Sequence, residues 1–276
     1  MKALLVLLVS GNMKQLYFLH IPKTAGQFIT EAIRDALDKS GIENYFIYNG
    51  AFASQERLKN SIYIGSHFGT YPIDLIDEID TVTILRDPIE RAISQFNFLY
   101  EDRYKELYKN IDGYLSRLRF YLFEDNNMLG LRNYQARFLC NPANPRRFES
   151  EEEFEKLIDE SSVPFGFGFP NTWFVEDSLT SLTLAKSQLD KMSLVGTADN
   201  LDSVLEGIRL WFLNNYDLQI KYSDKKINSS SISENGKVYT TQDCINMLTE
   251  EELKTLKDIN SIDQELYEYA KNISMI

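Results

Sequence analysis

The sequence predicts an α/β protein whose central, mostly parallel sheet is flanked by helices. Three observations carry that expectation. Short apolar runs recur at 15–21, 61–66, 81–85 and 193–197, the second and third rich in β-branched residues. Segments with helical apolar spacing follow the first, third and fourth of these runs. No Cys/His cluster and no apolar run of the ~18 residues a membrane span needs competes with the pattern. Strands that alternate with helices imply parallel strands buried on both faces.

The first run, QLYFLHI at 15–21, stops at Pro22 and leads into a helix over 28–37, where Phe28, Ile29, Ala32, Ile33 and Leu37 share one face. The second, SIYIGS at 61–66, and the third, TVTIL at 81–85, read as buried strands. After the third, Asp87 supplies an N-cap and Pro88 a first helical position. Ile89, Ile93, Phe96 and Leu99 or Tyr100 then mark the inward face of a long helix. Residues 112–190 read as a mostly helical insertion with a loop at 165–170. SLVGT at 193–197 is the fourth strand. A helix with Asp199 at its N-cap and Leu201, Val204, Leu205, Ile208 and Phe212 inward follows it. Residues 222–236 read as a polar loop and 249–270 as a helical end. With no internal repeat and no long linker, the chain reads as one domain over 1–276, with 1–14 disordered or signal-like. The apolar run at 4–9 lacks a convincing cleavage site, so the expectation is a soluble, cytoplasmic protein, with secretion as the alternative.

Charge narrows the partners. Against 29 basic residues stand 41 acidic ones, a net charge of −12, so the average surface repels nucleic acid and anionic membranes. An anionic ligand therefore needs a local site. Cys140 and Cys244 are far apart in sequence and read as buried, reduced thiols, and no zinc site is expected.

Two strand ends offer such a site. HIPKTAG at 20–26 joins a strand to a helix, where main-chain N–H groups, the positive end of the helix dipole and Lys23 could cradle an anion. The plainer alternative is a Pro-Lys turn closing a βα unit. It is not a triphosphatase loop, since GxxxxGK[ST] is absent. RDPIER at 86–91 places Arg86 at a strand's carboxyl end, where ligands of open α/β sheets bind, with Ser94 on the same helix. Here the alternative is that Arg86 pairs with Asp87 or Glu90 and that Ser94 only packs. Two anion-binding strand ends in one sheet suit a ligand with two phosphates.

HIPKTAG and RDPIERAISQF together resemble the 5'- and 3'-phosphate-binding motifs of sulfotransferases that use 3'-phosphoadenosine 5'-phosphosulfate (PAPS), in the branch of heparan sulfate 2-O-sulfotransferases and related bacterial enzymes. The resemblance continues through GSHFGTYP, NYQARFL, LVGTADNLDSVL, KINSSS and the C-terminal helical segment. It implies the P-loop-like sulfotransferase fold with a helical insertion. It also implies that Lys23 and Thr24, with Ala25, Gly26 and Gln27, hold the 5'-phosphosulfate, that Arg86 and Ser94 hold the 3'-phosphate, and that Lys226, Asn228 and Ser230 lie near the nucleotide. The chain departs from the family at Gln27 and Phe28, where small hydroxylated residues are usual.

In-line attack of an acceptor hydroxyl on sulfur needs a base for the proton. His67, at the end of the second run and in a context similar to the family's catalytic histidine, is the candidate, with Glu176 or Glu101 as carboxylate alternatives. His20 reads as structural. Lys23 would stabilise charge on the leaving phosphate, with no metal required. Arg137 and Gln135 resemble residues lining the acceptor side, Arg137 alternatively being a surface ion pair. The implied donor is PAPS, with adenosine 3',5'-bisphosphate as product, and the acceptor a hydroxylated glycan or small metabolite. A long polyanion fits only if Arg117, Arg119, Arg132, Arg137, Arg146 and Arg147 gather in one groove. Two other readings stand beside the enzyme: a catalytically silent nucleotide- or glycan-binding module, and an ATP-dependent kinase, which the missing GK[ST] disfavours. Nothing in the residues sets an oligomeric state.

Overall fold

The computed structural model describes residues 13–47, 54–124, 131–140, 179–221 and 231–274. Five parallel strands form the central sheet: β1 (Gln15–Leu19), β2 (Tyr45–Ile47), β3 (Tyr63–Ser66), β4 (Ile79–Leu85) and β5 (Leu194–Thr197), in the order β2-β3-β1-β4-β5. The first strand thus lies in the middle, with β3 on one side and β4 on the other. Leu19 is in register with Ser66 of β3 and with Thr83 of β4, so the segments after these three strands emerge together at the carboxyl edge. The chain moves to one side of β1 for β2 and β3 and to the other for β4 and β5, and such a reversal leaves a crevice beyond the strand ends.

Side-chain alternation decides which layer covers which face. Leu16 and Phe18 join Val82 and Ile84 against helices α1 (Gly26–Lys39), through Ile29, Ile33 and Leu37, and Leu201–Tyr216, through Val204, Ile208 and Phe212. Tyr17 and Leu19 point the other way, against Ala136, Phe138, Leu182, Ala185, Leu266 and Ala270 of three further helices. Each fully buried aliphatic or aromatic side chain contributes about 1.5–3 kcal/mol, which makes these two interfaces a large source of stability.

A third apolar cluster lies on neither face. The helix α2 (Pro88–Leu99) carries Ile89, Ile93 and Phe96 into it, and a π-helical turn, Tyr100–Tyr104, prolongs α2 so that Tyr104 stacks on Phe96 at 5.1 Å. Helix α3 (Tyr114–Phe123) adds Tyr114 and Tyr121. The remaining long elements are α4 (Tyr134–Cys140), α5 (Leu179–Leu189), α6 (Leu201–Tyr216), α7 (Glu250–Ile259) and α8 (Ser261–Ile273). No helix among the described residues is long and apolar enough to cross a membrane.

The α/β class and the four expected strands are found, with boundaries moved by up to two residues. Three expectations change. Asp199 is not the cap of α6: Asn200 stands there, and the Asp199 carboxylate accepts instead from Tyr267 Oη at 2.7 Å. The helical end is two helices, α7 and α8, separated at Asn260. The polar segment ends in a hairpin, β6 (Ile232–Glu234) and β7 (Lys237–Tyr239), turned by Asn235 and Gly236 at φ 52° and 77°. An Asn-Gly pair with both φ values positive is the signature of a tight hairpin turn. The loop expected at 165–170 lies outside the described residues.

Candidate functional site

The site is built on the carboxyl end of β1. Pro22 ends the strand, and the chain then alternates unusual conformations, with Lys23 at φ 72° and Ala25 at φ 73°, ψ 8°. A non-glycine residue in the left-handed region costs roughly 1–3 kcal/mol, and such strain persists where a loop's shape is over-determined, often at ligand clamps. Alternation of this kind turns successive N–H groups toward one side, the geometry of an anion nest. Ala25 is the N-cap of α1, makes no side-chain cap and has no acidic residue in the turn after it, so the positive end of a 14-residue helix carries no capping carboxylate.

Gly26 and His20 explain how the loop comes so close to the sheet. A Cβ on Gly26 would lie 2.2 Å from His20 Cδ2, so only glycine lets α1 start against that ring. His20 stacks on Phe18 at 5.3 Å, and burial, reinforced by His67 and Lys23, pushes its pKa well below the ordinary histidine value. Its role here is to support the loop.

The segment after β3 docks on this support. His67 Nδ1 meets the His20 carbonyl oxygen at 2.5 Å, and the two rings lie 4.5 Å apart. A carbonyl can only accept, so Nδ1 carries the hydrogen. Burial lowers the His67 pKa to about 4 despite that bond, which leaves the ring neutral at physiological pH with its lone pair on Nε2.

The segment after β4 docks on the other side. Arg86 Nη1 donates to the Lys23 carbonyl at 3.4 Å, and its Nε and Nη2 both donate to Glu90 Oε2, at 3.1 and 3.0 Å. The pairing with Glu90 is thus realised, while Asp87 caps α2 by accepting from the N–H groups of Ile89 and Glu90. Ser94 is buried two turns along α2. Lys23 Nζ lies over the Phe98 ring at 4.2 Å, and burial, then the charges of Arg86 and Arg91, pulls its ammonium down to about 8.

Other expected residues fall differently. Thr24 is fully buried, and its hydroxyl donates to Ile21 O at 2.8 Å, so it braces the loop from inside. Gln27 is exposed and donates to Glu31 at 2.9 Å. Gln135 is fully buried with both side-chain polar atoms on the main chain of Arg86. Arg137 is 5% exposed, which excludes a surface ion pair. Of the arginines considered for an acceptor groove, Arg117 pairs with Glu234 and Arg119 with Glu252. Arg146 and Arg147, the alternative base Glu176, and Lys226, Asn228 and Ser230 lie outside the described residues. The other alternative base, Glu101, is exposed and pairs with Lys105 at 2.9 Å.

The hairpin that follows the polar segment is anchored firmly. Glu234 accepts from Tyr100 Oη at 2.5 Å and from the Tyr114 N–H at 2.7 Å, and Arg117 completes the cluster at 3.3 Å.

Sequence reasoning missed two features: the ring of Phe98 beneath Lys23, and the carboxylate of Asp263, which accepts from the N–H groups of Gln135 and Ala136. Neither has a local signal, since each joins residues far apart in sequence. No family model matches the chain, and no curated protein matches it significantly.

Proposed function

We propose that the chain is a sulfotransferase that moves a sulfuryl group from PAPS to an acceptor hydroxyl. One observation carries the reading. The segments after β3 and β4 both bond to the segment after β1, His67 to the His20 carbonyl and Arg86 to the Lys23 carbonyl. A histidine with a neutral ring, a lysine in a strained loop at a helix N-terminus and an arginine fork therefore share one edge of the sheet.

That set fits a nucleotide with phosphates at both ends of its ribose. Lys23 and the N-terminus of α1 suit the 5' end, where negative charge grows on the leaving oxygen. Arg86, next to α2, suits the 3' end, its guanidinium exchanging Glu90 for phosphate oxygens. PAPS, when bound, supplies sulfur already activated by a phosphate leaving group. His67 Nε2 takes the acceptor's proton as the oxygen–sulfur bond forms and the bond from sulfur to the bridging oxygen breaks. The released product is adenosine 3',5'-bisphosphate. The acceptor is a hydroxylated glycan or small metabolite, in keeping with the net charge of −12.

Calorimetric titration with adenosine 3',5'-bisphosphate, beside 5'-AMP and magnesium ATP, tests the reading. Binding that needs the 3'-phosphate is the expected result, and equal or absent binding overturns it.

The same titration carries a pH signature. The charged form of Lys23 binds phosphate and its pKa in the free protein is about 8, so affinity should be level near neutrality and fall as pH rises through that value. The decline should approach about tenfold per pH unit, the slope for one bound proton. Lys23→Arg should remove this decline, because a guanidinium keeps its charge. An unchanged pH dependence in that variant would exclude Lys23 as the titrating group.

A further inference from the structure

We propose that Gln135 is a positioning residue of the anion site, fixing the main chain of Arg86 and so the point from which its guanidinium reaches the Lys23 loop. The inference rests on the reading of Arg86 as a phosphate ligand.

The geometry is that of a strand's missing neighbour. The last register pair between β4 and β5 is Leu85 with Thr197, and Arg86 is the first residue beyond it. There the Arg86 N–H donates to Gln135 Oε1 at 2.9 Å and Gln135 Nε2 donates to the Arg86 carbonyl at 2.8 Å. One side-chain amide thus satisfies both main-chain groups of the residue that leaves the sheet. Gln135 has 0% of its surface exposed, so solvent does not stand in for it.

What holds Gln135 is the C-terminal helix. Asp263, in the first turn of α8, accepts from the N–H groups of Gln135 and Ala136 at 2.9 and 2.7 Å. In return Asn133, just before α4 and at φ 43°, accepts from the N–H groups of Ile262 and Asp263, both at 3.1 Å. Its own N–H donates to Asn260 at 3.0 Å. Two helix starts cap each other, and the amide that clasps Arg86 projects from that joint. A ligand held by a long side chain is only as well placed as the main chain beneath it, and outer supports of this kind typically carry about 10–100-fold in affinity at metal sites.

The test compares Gln135→Met, which keeps length and loses both hydrogen bonds, with Gln135→Glu, which keeps an acceptor for the Arg86 N–H and loses the donor. Two readouts are taken on the full chain: hydrogen exchange of the Arg86 amide without ligand, and binding of adenosine 3',5'-bisphosphate and of inorganic pyrophosphate. Gln135→Met should speed exchange at Arg86 while sparing the β1 amides, and should weaken bisphosphate binding by about tenfold or more with pyrophosphate little changed. Gln135→Glu should restore much of the amide's protection. Unchanged exchange at Arg86 in Gln135→Met overturns the proposal. So does equal weakening of both ligands together with faster exchange in β1, which would mark a general loss of structure. If the wild-type chain binds no bisphosphate while Arg86 exchange responds as expected, the donor reading falls and with it the anion-site role, leaving only the clasp on the Arg86 main chain.

Discussion

Replacing His67 by alanine should lower sulfuryl transfer by about 10²–10⁴-fold, the usual contribution of a positioned base, while leaving adenosine 3',5'-bisphosphate bound nearly as before. The expectation follows from one bond. The His20 carbonyl oxygen, 2.5 Å from Nδ1, fixes the hydrogen there, so the lone pair stands on Nε2, and the pKa of about 4 keeps the ring unprotonated near neutral pH, where the proposed transfer would run. His67→Asn is the informative control, because its amide can still donate to the His20 carbonyl and support the loop without serving as a base. Both variants should fail in transfer of labelled sulfate from PAPS to an acceptor found by screening hydroxylated sugars. Transfer restored by asparagine would reduce His67 to a prop for the loop. For the wild type the sign is set by burial: a histidine with a lowered pKa is competent above that value, so kcat/KM should fall only as pH drops through about 4.

What the sequence showed depended on how local the physics was. Strands β1, β3, β4 and β5 lie between helical layers and read as apolar runs. β2 has only three residues, Tyr45–Ile47, too few for a periodic signal. The hairpin exposes Ser233, Lys237 and Val238, so its strands looked polar, and the Asn235-Gly236 pair was the one signal that could have revealed it. The strand-end residues Lys23, His67 and Arg86 were legible because a tight turn after a strand must put them at the carboxyl edge. That Arg86 meets Lys23 across 63 residues and Gln135 across 49 could not be read, since both contacts exist only once the strand order is known. The same holds for Asn133, whose place before a helix suggested nothing about its capping a different one.

The largest loss of stability should come from a residue that supports the site from behind, Asp263. Its carboxylate is fully buried. Burial raises its pKa, while the N–H groups of Gln135 and Ala136 and the charges of Arg91 and Arg137 pull it back. A buried charge held this way is not itself a large net gain, because desolvation consumes most of the attraction. Its removal is costly for what it leaves behind. Arg91, fully buried with its guanidinium 4.3 Å from the Tyr134 ring centre, and Arg137, 5% exposed, would each lose one nearby negative charge, and α4 would lose the acceptor at its first turn. Asp263→Ala should therefore cost about 3–5 kcal/mol, the range for breaking a buried charged cluster from one side. At roughly 2–4 °C per kcal/mol for a chain of this size, the Tm should fall by about 6–20 °C. Asp263→Asn keeps one acceptor oxygen and should lose less, so the order wild type, asparagine, alanine in thermal or urea unfolding checks the argument. An alanine variant within about 1 kcal/mol of wild type would mean that the Asp263 charge matters little to the two arginines, and that α4 and α8 do not depend on each other for their caps.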